Sequence, residues 1–301
     1  MLTRRCTQRM FFFVPGGNTE ALFEYALACA AKFAGVKIIG WCLMSNHYHI
    51  LVYDPHGTLA IFLHHLNMQL ARSFNAYLGR GENLFARDSL SRVELVQAED
   101  VVDKLAYTLT NPVQAGLVGT ASAWGGSTSW HLMMRGERLH VPRPKIYHRK
   151  CRDKFGELAL HLEDEFLGPR DVFVAHVKAK VRAIELEVET ARRANDQKVM
   201  GMAAVRAQKP MTTPKRRHEM WGLRPKIACK SKWDRIVALQ ANEAFIEAHG
   251  AAKARMLAGM VANFPRGTVA MWQLVEPKYR RAPWPPVELN QRDEHGTLVF
   301  D

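Results

Sequence analysis

The residues best suited to chemistry lie in one stretch, Gly40 to Asp54, which holds His47 and His49. Residues two apart on a β-strand project from the same face, so the two imidazoles would stand side by side while Tyr48 points the other way. Such a pair can ligate a divalent cation through two nitrogens, or it can be an inert pair, solvated or hydrogen-bonded on an edge strand. Two imidazoles leave a metal incompletely held. An amide or carboxylate oxygen as third donor would move the preference from zinc toward magnesium or manganese. The segment Asp100 to Asn111 offers one, because on a helix Asp103, Tyr107 and Asn111 share a face at four-residue spacing. On spacing alone Tyr107 is a surface aromatic. Beside a metal that binds a phosphate, its phenol oxygen becomes a nucleophile and Asn111 an oxygen ligand.

Elements able to position these side chains can be read around them. Two apolar runs, Val36 to Leu43 and Ile50 to Tyr53, flank Met44-Ser45-Asn46, which predicts two strands joined by a tight turn, with the histidines opening the second. Upstream, Met10 to Val14 reads as a strand ended by Pro15-Gly16-Gly17. A helix capped by Asn18 or Thr19 then runs from about Glu20 to Phe33 and stops at Gly35. Leu59 to Leu78 is a second amphipathic helix, and Leu90 to Val96 alternates as a half-exposed strand. Gln97-Ala98-Glu99-Asp100 opens the helix of Tyr107 with acids at its positive end, and Pro112 biases the chain to break there. The order strand, helix, strand, strand, helix, strand, helix predicts an α+β fold: an antiparallel sheet with both crossover helices on one face, the ferredoxin-like split βαβ layout. The histidine strand falls in the middle of that sheet, and the Tyr107 helix closes the open face.

The chain has 301 residues, enough for about two domains. It has no apolar run of about 18 residues and no leader-like start, which predicts no membrane span and a cytoplasmic protein. The five cysteines are widely spaced, without a Cys-x-x-Cys pair, so reduced thiols are expected rather than a zinc ribbon. The net charge of +13 is unevenly spread: residues 1–140 hold 12 basic against 10 acidic side chains, and residues 141–301 hold 30 against 19. This predicts a catalytic domain over residues 1–130, a basic linker over 131–160 and a mainly helical, basic C-terminal domain over 161–301. Long helical patterns there run from Val172 to Met200 and from Trp233 to Met260. A nucleic acid is the partner such clusters suggest, with Arg143, Lys145, Arg149, Lys150, Lys215, Arg216, Arg217, Arg224 and Lys226 contacting phosphates and Trp221 stacking on a base.

Trp41-Cys42-Leu43-Met44-Ser45-Asn46-His47-Tyr48-His49-Ile50-Leu51-Val52 and Tyr107-Thr108-Leu109-Thr110-Asn111-Pro112-Val113-Gln114-Ala115-Gly116-Leu117-Val118 resemble, in order and separation, the two signature blocks of the Y1 transposases. These are the IS200-like and REP-associated tyrosine transposases of the HUH endonuclease superfamily, and the resemblance covers about Met10 to Trp130. It implies that His47 and His49 are the metal-binding HUH pair, Tyr107 the single catalytic tyrosine, Asn111 the residue completing the site, and Mg2+ or Mn2+ the cofactor. The implied activity is DNA transposition and recombination, with single-stranded DNA cleaved beside a hairpin through a 5′-phosphotyrosine and rejoined by a free 3′-hydroxyl. The partner is then single-stranded or hairpin DNA, and the protein a monomer or homodimer. Thr108 to Thr110 and Gln114 depart from the family, which often has a histidine or arginine there. Two alternatives stand beside this reading: a non-catalytic basic DNA-binding protein with an inert histidine pair, and a metal-dependent hydrolase of the amidohydrolase kind, whose eight βα repeats are not visible.

Overall fold

The computed structural model describes residues 1–87, 89–147, 154–214, 225–265 and 267–268. It begins with β1 (Leu2–Arg5), α1 (Gly17–Ala34), β2 (Lys37–Met44), β3 (His47–Tyr53), α2 (Leu59–Leu78) and β4 (Ser91–Arg92). These four strands form one antiparallel sheet in the order β2-β3-β1-β4, so the protein is α+β and the histidine strand is internal. Next come β5 (Glu94–Leu95), α3 (Ala98–Leu109), α4 (Asn111–Gln114), α5 (Trp130–Arg135), β6 (Leu139–Pro142) and β7 (Phe155–Leu158). The described chain ends with α6 (Arg170–Ala194), α7 (Met202–Arg206), β8 (Ile227–Ala228) and α8 (Lys232–Leu257).

Met10–Val14, expected as the first strand, is not one; Leu2–Arg5 takes that place. Phe12 and Phe13 turn into the core against α1 and α2, where each buried ring contributes about 1.5–3 kcal/mol. Only Leu2 of β1 is apolar, so the strand is inconspicuous in the sequence, yet pairing on both edges holds it in the sheet. Leu90 to Val96 is likewise not one strand. Ser91–Arg92 pairs with β1, whereas Glu94–Leu95 pairs in parallel with β8. At the start of α1 neither Asn18 nor Thr19 is the cap. Gly16 is, and both carboxylate oxygens of Glu20 accept its backbone N–H at 3.0 and 3.1 Å.

The two sheet faces differ in cover. Leu2, Trp41, Leu43, Tyr48 and Ile50 are buried in one core cluster with Leu22, Phe23 and Leu27 of α1 and Phe62, Leu66, Leu70 and Phe74 of α2. On the other face lie Gly40, Cys42, His47, His49 and Leu51, and α3 packs there. Gly40 is what admits α3, because a Cβ at this position would lie 2.4 Å from Leu105 Cδ1 and 2.9 Å from Ser129 Oγ. On the far side of α3, Phe173, Val177 and Val181 of α6 join Val101, Leu105 and Leu109 in a second cluster. The sheet edge at β2 is closed by the segment before α5: Leu43 N–H donates to Ser127 O at 2.9 Å and Ser129 N–H to Trp41 O at 3.0 Å.

Residues 131–160, expected as a linker, are folded where described. They contain most of α5 and the antiparallel β6–β7 pair, which packs on α1 so closely that a Cβ on Gly156 would sit 2.7 Å from Ala28 Cβ. Among the described residues no helix is long and apolar enough to cross a membrane, and Cys6, Cys29, Cys42 and Cys229 are in no disulfide.

Candidate functional site

Strand alternation on β3 separates three consecutive side chains. Tyr48 goes into the α1/α2 core, where its hydroxyl donates to Asn67 Oδ1 at 2.9 Å and burial pushes its pKa up. His47 and His49 stand together on the opposite face with ring centroids 4.9 Å apart. From α3, the Tyr107 ring meets His49 edge to face, with centroids 5.7 Å apart and planes at 90°. Asn111, the first residue of α4, lies close enough to His47 for its amide to perturb that ring's titration. The four residues expected at one site are thus together, drawn from a strand and from two helices that meet at Thr110.

Tyr107 is 37 % exposed, so its phenol is accessible, and Lys104 Nζ lies 5.9 Å from its ring centroid. Asp103, one turn before Tyr107, is engaged elsewhere, in ion pairs with Lys180 at 3.0 Å and Lys230 at 2.6 Å. Burial would raise its pKa, but the two ammonium groups hold the carboxyl below its ordinary range. Gln114 is turned back on the helix end, with its Nε2 donating to Thr110 Oγ1 at 2.8 Å.

Two residues that sequence reasoning missed hold the histidines. Thr3 lies opposite His49 in the β1–β3 register, and its Oγ1 is 2.8 Å from His49 Nδ1. Asn46 Oδ1 is 2.7 Å from His47 Nδ1, while Asn46 Nδ2 donates to Arg9 O at 3.1 Å. The Arg9 carbonyl thereby fixes the amide, so its oxygen faces His47 and Nδ1 carries the proton. The lone pair of His47 is then on Nε2. His49 Nε2 is buried with no hydrogen-bond partner, an orphaned polar atom of the kind a bound ion would satisfy. No local signal marked Thr3, because the position of β1 itself was unrecognised.

Both rings stay neutral at pH 7, as metal ligands must be. Burial lowers the His47 pKa to about 4; the nearby Asn111 amide opposes the shift, and the charges of Arg5 and Arg9 add to it. Burial, and then the neighbouring His47, puts His49 well below the usual range. Among the described residues no group of three or more His, Cys, Asp or Glu is gathered to hold a metal. The donors this site offers are two imidazole nitrogens and the Asn111 amide, a set that fits a cation preferring oxygen as third ligand.

The basic residues expected to bind nucleic acid are more dispersed. Arg143 and Lys145 are exposed just beyond β6, which packs on α1 and so lies on the side of the sheet away from the histidines. Lys226 is exposed beside β8, its carbonyl accepting the Glu94 N–H at 2.8 Å. Arg149, Lys150, Lys215, Arg216, Arg217, Trp221 and Arg224 lie outside the described residues. Compared with known proteins, the chain matches no family model, no curated protein and no solved structure.

Proposed function

We propose that this protein is a single-stranded DNA endonuclease and strand transferase of the HUH, Y1 tyrosine transposase type, built on a ferredoxin-like split βαβ sheet. The observation that carries the reading is the contact of Tyr107 with His49, two side chains from elements far apart in the chain. The strand order and the two helices covering one sheet face support the ferredoxin-like description. The Tyr107 hydroxyl attacks the scissile phosphorus as the P–O3′ bond breaks. The 3′-oxygen leaves as a hydroxyl after taking a proton, and the 5′-phosphate stays on Tyr107 as an ester that the 3′-hydroxyl can later attack in reverse. Lys104 Nζ lies 5.9 Å from the ring centroid, where its charge faces the incoming phosphate. His47, His49 and Asn111 would hold Mg2+ or Mn2+, which when bound stabilises the growing charge on the phosphate. The excess of basic residues after position 140 supplies the attraction for the strand. In this reading the protein acts in the cytoplasm as a monomer or homodimer.

Incubating the full-length protein with a labelled single-stranded hairpin and Mn2+ tests this. A protein–DNA adduct that survives denaturation and vanishes in Tyr107→Phe and His49→Ala is expected. Binding without any adduct would leave the second reading, a basic DNA-binding protein whose histidine pair is inert. The hydrolase alternative has no support in the four-stranded antiparallel sheet, which is not the parallel barrel that chemistry uses.

A further inference from the structure

His47 and His49 are fixed relative to each other by the strand they share, but Asn111 comes from a helix pair that only packs on the sheet. Among the described residues no backbone hydrogen bond joins α3 or α4 to β2 or β3. A ligand set has to be held to within about 0.5 Å to grip a cation, so the spacing between α4 and the turn before His47 needs a further support. A segment from the C-terminal half, Met200–Thr212, touches both.

At its start, Met200 N–H donates to Gly116 O and Gly201 N–H to Leu117 O, each at 2.9 Å, which fastens the segment just beyond α4. Then comes α7, where Val205 is fully buried in a third apolar cluster. That cluster contains Val113 of α4, Val118, Trp124, and Cys42 and Met44 of β2. The two β2 residues stand beside the site, since Cys42 lies opposite His49 and Met44 opposite His47 in the β2–β3 register. Val205 thus shares one cluster with the strand next to the histidines and with the helix that begins at Asn111. At the far end, the Ser45 hydroxyl donates to Gln208 Oε1 at 2.9 Å, and Phe11 N–H donates to Thr212 O at 2.9 Å. Ser45 immediately precedes Asn46, the residue whose amide orients His47.

The segment is not a stable unit on its own. Helix α7 has five residues, well short of what holds in water without tertiary support, and Val205 is its one buried side chain. Its two ends are fastened to the two blocks whose separation defines the site, so its length sets how far apart they stand. We infer that Met200–Thr212 is a positioning strap for the cation site, in which Val205 and Gln208 hold the spacing of His47 and Asn111, acting through Val113 and Ser45. The inference rests on the reading above insofar as those ligands hold Mg2+ or Mn2+.

Mn2+ titration of the full-length protein by calorimetry, without DNA, tests this. Gln208→Leu is expected to weaken Mn2+ roughly tenfold, the low end for losing a group that orients a ligand, with little change in the thermal midpoint. Ser45→Ala should weaken it equally, and adding Gln208→Leu to Ser45→Ala should have no further effect, because the two act through one hydrogen bond. Val205→Ala should weaken Mn2+ and lower the midpoint. Val141→Ala, the same truncation at a buried position of β6 on the far side of α1, should lower the midpoint alone. Unchanged Mn2+ affinity in Gln208→Leu and Val205→Ala, or additive effects of Ser45→Ala and Gln208→Leu, would overturn the proposal. Hydrogen exchange of the metal-free protein separates it from the cation reading: both variants should lose protection in residues 43–48 and 111–118 together, and not in α2. Should the native protein take up no Mn2+, the cation site itself fails. Exchange then decides the strap: joint loss of protection upholds it, and loss in one segment or neither overturns it.

Discussion

The two faces of the sheet receive side chains from the same strand and treat them in opposite ways. On the α1/α2 face Tyr48 is sealed from water, its hydroxyl is satisfied by Asn67, and its pKa is pushed up, so it cannot act as a nucleophile. On the α3 face Tyr107 keeps 37 % of its surface exposed, touches His49 and has Lys104 beside it. Residue type does not distinguish the two tyrosines; their surroundings do. A site needs access, a polarising neighbour and unsatisfied donors, and around Tyr48 apolar packing has removed all three.

Substitutions on the two faces break this contrast in different ways. Tyr107→Phe is expected to eliminate the covalent DNA adduct while leaving the thermal midpoint within a degree or so, since an exposed hydroxyl contributes little to the fold. Tyr48→Phe should do the reverse: it keeps the adduct and costs about 1–3 kcal/mol in denaturant unfolding, because Asn67 Oδ1 is left buried and unpaired. Gly40→Ala reaches the seam where α3 meets the sheet. Its methyl collides with Leu105, so about 1–3 kcal/mol of stability should be lost, and adduct formation should fall as Tyr107 moves relative to His49.

Thr3→Val keeps the shape of β1 but removes the hydroxyl at His49 Nδ1. Mn2+ affinity, measured by calorimetry without DNA, should weaken roughly 10–100-fold, as for other groups that orient a ligating histidine. Unchanged affinity would mean that Thr3 does not position the ring. The smallest effect concerns pH and the closed face. Because burial raises the folded Glu24 pKa from 4.5 to about 7, the native state keeps a proton that the unfolded chain releases between those values. This group's contribution to stability is therefore greatest below pH 4.5, declines as pH rises to about 7 and is level beyond. Glu24→Gln should flatten that decline in urea titrations run at pH 5, 6 and 7.

The contrast also changes what a truncation can report. Removing residues 141–301 takes α6 from the outer side of α3, and all of β7 with half of β6 from α1, so it uncovers both core clusters along with the basic segments. Loss of DNA affinity in that truncation would follow from unfolding as readily as from lost charge. Charge reversal at the exposed Lys145 and Lys226 isolates the electrostatic part, and a reduced salt dependence of binding is the expected result.

Local periodicity was enough to place His47 and His49 on one side of a strand with Tyr48 on the other, and to put Tyr107 one helical turn from Asn111. These relations depend only on backbone geometry over a few residues, which the side-chain pattern reports faithfully. Partners distant in the chain were not legible. β1 contains a single apolar residue and is a strand because β3 and β4 pair with it, while the phenylalanine-rich Met10–Val14 leaves the sheet to fill the core. Thr3 at His49, Asn46 locked by the Arg9 carbonyl, and α6 laid over α3 all follow from where distant segments bury their apolar area. The sequence by itself determined which groups could act and how neighbours on one element are spaced. Only the tertiary structure decided which face of the sheet stays open to use them, because burial is shared among elements and no single stretch encodes it.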